Sequence, residues 1–323
     1  MTRFTGMLRA WLAILITSMF TSLALEANGQ SFNNQNIAEE LGYPADAKLL
    51  IIHADDLGVS HSENAASITA MEEGTVNSAS IMVPCPWFPE IAAYARQHPD
   101  KDFGLHLTLT SEWTDYKWGP VTSTDKVPSL VNDKGYFYST VDSLVMHADP
   151  EEVELEIRNQ IEKAYRAGIN VTHLDAHMYA LRSTPELLDV HIKVGREYEL
   201  PVLLTYEEDV VKEFVETEGL TEKDVVVDNL YMAMQEEYDN GITNYYVELL
   251  NNLEPGLSCL LVHTAHDNEE MKAVTRGHIY WGSAWRQMDF YFFTSDRAKQ
   301  LLKENNIHLV TWREIRDKVV RAK

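Results

Sequence analysis

Short apolar runs alternate along the chain with longer stretches in which apolar residues recur every three to four positions, the pattern of strands separated by helices. Residues 48–53 (KLLIIH), 76–83 (VNSASIMV), 103–109 (FGLHLTL), 171–177 (VTHLDAH), 201–205, 225–230, 257–263 (LSCLLVH) and 307–311 predict strands. Ser60 and Glu63 predict a capping box for a helix that ends at Gly74, with Ile68 and Met71 on one face. Pro86, Trp87 and Pro89 open a helix around 91–97. Asp149 and Pro150 start an amphipathic helix running to 167, with Val153, Ile157, Ile161 and Ala164 at core spacing. Further helices are predicted over 185–199 and 295–304. The stretch 110–146 has neither period and carries Trp113, Tyr116, Trp118, Tyr136, Phe137 and Tyr138, which reads as a long functional loop.

Seven or eight strands, most of them separated by helices, predict an α/β fold with a mostly parallel sheet. The polar residues of interest sit where strands run into loops, on at least four different strands. An open doubly wound sheet would gather them at one crevice, so the expectation is a (β/α) barrel in a single domain. Neither GxGxxG nor GxxxxGK[ST] occurs, which removes the usual sequence support for nucleotide roles.

The first residues set the compartment. Arg3 and Arg9 precede an apolar run over 10–25, and Ser22, Ala24 and Ala27 offer a cleavage region, which predicts a signal peptide over 1–27. An uncleaved anchor is the alternative, but about 16 apolar residues fall short of the roughly 20 needed to span. The expected organisation is therefore a leader peptide, a polar segment over 28–45 and a barrel over 46–323, exported to the periplasm or the exterior with no membrane span after processing. The formal charge is 27 minus 50, or −23, which excludes attraction to nucleic acid or anionic lipid. Cys85 and Cys259 are too few for a disulfide scaffold and are expected as buried free thiols, although one disulfide remains open.

Asp55 and Asp56 follow an apolar strand directly, and at a strand end both carboxylates can turn into one pocket. Adjacent acids suit a metal ligand plus a base, or, taken alone, a solvated turn capping the next helix. His106, between Leu105 and Leu107, faces the same side as Gly104 and Thr108, as a ligand or as a hydrogen-bonded core histidine. At period two, His173, Asp175 and His177 share one face, which suits one ligand histidine with a neighbour orienting it. His263 ends the most apolar strand, where a general acid would be held. A carboxylate, His106 and one histidine of the 173–177 segment make a two-histidine, one-carboxylate set able to hold a single divalent ion. Its donor softness suits zinc, manganese or iron.

HADDLG at 53–58, Asn64, Gly74, GLHLTLT at 104–110 and THLDAH at 172–177 together resemble the YdjC-like carbohydrate deacetylases, as do Arg286 and Asp289 in WRQMDFYFFTS. The resemblance runs from about 49 to 312 and implies an irregular (β/α) barrel that removes acetyl groups from N-acetylated sugars. It further implies metal ligation by Asp56, His106 and His177, Asp55 as general base and His263 as the proton donor to the leaving amine. His173, Asp175 and Arg286 are expected around that set or against substrate. Magnesium is the ion associated with the family, against zinc on donor softness. Two departures stand out: Thr264 and Ala265 replace a Pro-Gly after the late histidine, and Met178, Tyr179 and Ala180 occupy the stretch where a second histidine is usual.

Two rival readings are a barrel glycoside hydrolase using paired carboxylates and a saccharide-binding protein without turnover. Without residues 1–27 the charge is 25 minus 49, or −24, which favours a neutral saccharide over a phosphorylated one.

Overall fold

The computed structural model describes residues 36–322. Nine strands follow in chain order: β1 (Lys48–Leu57), β2 (Ser78–Ile81), β3 (Phe103–Leu107), β4 (Leu174–Ala176), β5 (Leu204–Thr205), β6 (Val226–Val227), β7 (Asn229–Met232), β8 (Gly256–Val262) and β9 (Ile307–Leu309). The main sheet runs β4-β3-β2-β1-β8-β7, with β9 also on β1, while β5 and β6 pair separately. Every strand pair among the described residues is parallel. A bridge from Leu174 to Val202 carries the curl toward β5, giving the curled, mostly parallel α/β half-barrel that the strand–helix alternation predicts.

β1 organises the sheet because both of its faces are covered, which is why its sequence is continuously apolar. Leu50, Ile52 and Ala54 pack outward under the helices. Leu49 and Ile51 point inward with Leu257, Cys259, Leu261 and Trp312. Continuing the inward row past Ile51 gives His53 and Asp55. The interior is thus apolar at the strands' N-terminal ends and polar at their C-terminal ends, where the site forms.

Helices Pro150–Arg166, Pro185–Tyr198 and Asp296–Glu304 match their predicted spans closely. Helices Asp209–Thr217, Ile242–Asn251 and Ser283–Phe293 lie in stretches without a predicted element. The predicted strand over 225–230 is two strands, β6 and β7, in different sheets. The capping box at Ser60 is half formed: Ser60 accepts the Glu63 N–H at 3.0 Å, but the Glu63 carboxylate turns to Arg286 instead. Residues 37–41, in the stretch read as a polar segment, form a short helix that buries Ile37, Ala38 and Leu41. The signal-peptide region 1–27 lies outside the described residues. Both cysteines are buried and free, Cys259 on β8 and Cys85 in a turn after β2.

Candidate metal centre and its cavity

At Asp56 the backbone of β1 takes a left-handed conformation (φ 68°), and the register with β2 is interrupted between Ala54 and Leu57. Strict alternation would send Asp55 and Asp56 to opposite faces. The turn brings both to one cavity of about 410 Å³, also lined by His106, Asp175, His177 and His263. A volume of this order is ordinary for a small-ligand site.

Asp56, His106 and His177 bring donor atoms together within 4.8 Å of one another, all buried. His106 Nδ1 donates to Asp175 Oδ1 at 2.7 Å, which leaves the Nε2 lone pair facing Asp56 Oδ1 at 3.4 Å. His177 Nε2 donates to Glu112 Oε2 at 2.9 Å, and its Nδ1 lies 3.3 Å from the same Asp56 oxygen. That oxygen is buried and accepts no hydrogen bond. A buried carboxylate oxygen facing two imidazole nitrogens needs a positive charge between them. Burial lowers the pKa of His177, but Glu112 and Asp56 raise it to about 10, as two flanking carboxylates favour positive charge at this place. A divalent ion fits the same place, with each imidazole already oriented by a carboxylate on its far nitrogen.

Arg286, buried on helix Ser283–Phe293, donates to Asp56 Oδ2 at 2.8 Å and pairs with Glu63. One guanidinium thus serves two buried carboxylates, which part company electrically. Burial opposes ionisation of Asp56, but Arg286 and His177 hold it well below the usual range. Burial dominates at Glu63 and pushes its pKa well above the usual range. His263 follows β8, its Nε2 3.9 Å from Asp56 Oδ2, and burial together with Arg286 pushes its pKa down to about 4. Asp289 accepts the His263 N–H at 3.0 Å and the Tyr246 hydroxyl at 2.6 Å, fixing where that histidine leaves the strand.

The 173–177 segment divides by depth. Asp175 on β4 orients His106, and His177 reaches the cavity. His173 lies deeper, outside the cavity lining, fully buried against Trp312 and His53. Burial and His53 hold its pKa well below the usual range, so it is a neutral core residue rather than a substrate contact. Of the aromatic loop, Trp113 alone among the six aromatics noted lines the cavity; Trp118 and Phe137 are buried packing and Tyr138 stacks on His147. The rest of the aromatic rim comes from His278, Tyr280 and Trp281, and from Tyr179. Thr264, one departure from the resembled pattern, turns away to Ser67 at 2.7 Å, whereas Met178 and Tyr179, the other, line the cavity at positive φ (52° and 58°).

Three residues of the site had no assigned role in the sequence reading. His53 was within reach, since period two puts it on the face of Asp55. Its Nε2 lies 2.9 Å from Asp175 Oδ2 and 3.0 Å from Asp55 Oδ1; burial lowers its pKa, but these carboxylates raise it to about 10. Glu63 was masked by its helix-capping position. Glu112 lies in an irregular loop and had no signal.

Polar carboxylate and imidazole groups gathered at the C-terminal ends of parallel strands, above an apolar interior, define an α/β enzyme site with room for one metal ion. Residues 49–304 match the sequence profile described as YdjC-like protein, and the chain belongs to that family. It is 30% identical over 266 residues to a carbohydrate deacetylase of Thermoanaerobacter pseudethanolicus, covering 82% of this chain and 98% of the relative. A carbohydrate deacetylase of Brevibacillus brevis is 30% identical over 275 residues, covering 82% and 99%. Among solved structures, a protein of Enterococcus faecalis V583 described as a candidate cellobiose-phosphate cleavage protein superimposes with a TM-score of 0.71 at 25% identity, covering 82% and 98%.

Proposed function

We propose that this protein is a carbohydrate deacetylase that hydrolyses the acetamide of a neutral N-acetylated saccharide with one divalent ion held by Asp56, His106 and His177. The observation that carries the reading is the unpartnered Asp56 Oδ1 facing two imidazole nitrogens, with Asp55 beside it in the same cavity. An ion bound there supplies Lewis acidity for the acetyl carbonyl and for water. Asp55 takes the proton from the attacking water as the new C–O bond forms. Arg286 and the oriented imidazoles hold Asp56 in place throughout. His263 hands a proton to the nitrogen as the C–N bond breaks. Burial and Arg286 favour the neutral ring, so His263 must first take up a proton, and the one that Asp55 removes from water closes the balance. The rim of Trp113, Tyr179, Tyr280 and Trp281 offers flat apolar faces suited to sugar rings.

The test is acetate release from a panel of acetylated saccharides, with products weighed by mass spectrometry and with the ion stripped and restored. Asp55→Asn should abolish release while thermal unfolding stays near wild type; retained activity sinks the mechanism. Two imidazoles and one carboxylate suit zinc, manganese or iron on donor softness, while magnesium is the ion the resemblance implies. Elemental analysis, then add-back of each ion, separates them. Glycosidic cleavage that survives chelation would favour a glycoside hydrolase instead.

The leader features at Arg3, Arg9 and the run over 10–25 support export. Among the described residues no helix is long and apolar enough to cross a membrane. N-terminal sequencing of protein from the exported fraction should find cleavage between residues 25 and 31; full-length protein confined to the cytoplasm would refute export.

A further inference from the structure

We propose that His53 decides which of the two adjacent aspartates is the base and which is the ligand, by holding Asp55 away from the ion position. The inference rests on the site reading above.

Asp55 has somewhere else to go. Donor atoms of Asp55, His106 and Asp175 also lie within 4.8 Å of one another, so Asp55 already sits beside His106, a ligand of the first set. Asp56 is committed to the first set by its left-handed backbone and by Arg286. Asp55 has no such backbone constraint and no arginine. Its short-range holds are His53 Nε2 at 3.0 Å and the Ser80 hydroxyl at 3.4 Å.

His53 is built to act there. It is fully buried on the inward row of β1. Its Nδ1 lies 2.9 Å from Ser78 Oγ, and its ring meets the edge of His173 at 4.9 Å, so it cannot swing. The Nε2–H is shared between Asp55 Oδ1 and Asp175 Oδ2 at 2.9 Å, with Ser80 Oγ at 3.1 Å. Asp175 in turn orients His106. One imidazole N–H therefore ties the proton acceptor to the residue that aims a metal ligand. Without it, Asp55 keeps only the long Ser80 contact beside the Asp175 carboxylate, and an ion is the nearest relief for it.

His53 is thus a positioning residue, and its removal should change coordination before it changes ion affinity. The experiment loads wild type, His53→Leu and His53→Gln with cobalt(II). It records the visible spectrum, the ion affinity by calorimetry, and kcat and KM for acetate release. Gln carries its amide nitrogen to about the place of Nε2, whereas Leu keeps bulk without a donor. For His53→Leu we expect an altered spectrum as a further carboxylate enters, undiminished affinity, and kcat lower by about 10²- to 10⁴-fold with KM within about threefold. His53→Gln should restore the wild-type spectrum and most of kcat. A wild-type spectrum and kcat in His53→Leu would overturn the proposal, as would affinity lost in step with activity, or a Gln variant no better than Leu. If His53→Leu does not fold, Ser78→Ala loosens the ring without touching either carboxylate. It should give the same spectral change with a smaller kcat loss, and wild-type behaviour there overturns the proposal. Were the wild-type protein to release no acetate from any saccharide, the proposed activity would fail while the cobalt spectra still decided the role of His53.

Discussion

Gly104→Ala would add one methyl group at a position where the interior has no room for it. Gly104 lies on the inward face of β3, and a Cβ there would sit well inside 3.0 Å of three atoms of the His173 ring. Carbon atoms in contact rest about 3.5–4.0 Å apart, so the ring would have to retreat by ~1 Å. It has little room, being stacked on Trp312 at 5.3 Å and set edge-on to His53 at 4.9 Å, with all three rings buried. Overpacking of this kind costs about 1–3 kcal/mol, and the rigid backing argues for the upper half of that range. Urea unfolding of wild type and Gly104→Ala measures the loss. In a His173→Ala background the same substitution should cost less than about 0.5 kcal/mol, because the obstacle is gone. An undiminished penalty in both backgrounds, or no penalty in the wild-type one, refutes the reasoning. Because His173 also backs His53, acetate release should fall in Gly104→Ala and recover less than stability in the double variant.

Arg286→Met leaves Asp56 and Glu63 without their shared counter-charge and should cost about 3–5 kcal/mol at neutral pH by urea unfolding of the ion-free protein; a loss below about 1 kcal/mol would show that the pair is not what holds Asp56. Glu112→Gln keeps the shape but not the charge that orients His177, and calorimetry should find ion affinity weaker by about 10- to 100-fold with stability little changed. Burial raises Asp289 to about 7 from an ordinary 3.8. The native state therefore binds more protons than the unfolded state between those values, and this group's contribution to stability is lost as pH rises through about 7. Asp289→Asn should flatten that part of the stability–pH curve, and an unchanged slope would refute the assignment.

The inward-facing chemistry was legible where a strand was. Period two along 171–177 and 103–109 put His106, Asp175 and His177 on one side, and the adjacent acids at the end of β1 marked the ion position. The same rule applied one turn of the pleat earlier would have added His53. It failed at Glu63, because a residue three after a serine at a helix start has a local use that hides a tertiary one. It gave nothing for Glu112, which lies in a loop without period. The aromatic loop, read only as functional, divides: Trp113 lines the cavity, whereas Trp118 donates its indole N–H to the Thr110 carbonyl at 2.8 Å and is buried packing. An aromatic residue in a polar stretch signals burial against something, and sequence does not say against what.

The sequence by itself determined the alternation of strands and helices, the apolar and polar halves of the inward rows, and the set of side chains able to hold an ion. These follow from local rules, since periodicity, caps and residue chemistry act over a few positions. Only the tertiary structure decided how charge is divided among them. Arg286 is 230 positions from Asp56, and Asp175 is 122 from His53. Which carboxylate is held ionised, which is pushed toward its proton and which imidazole stays neutral depends on burial and on charges within a few ångströms, and those distances exist only once the sheet has curled.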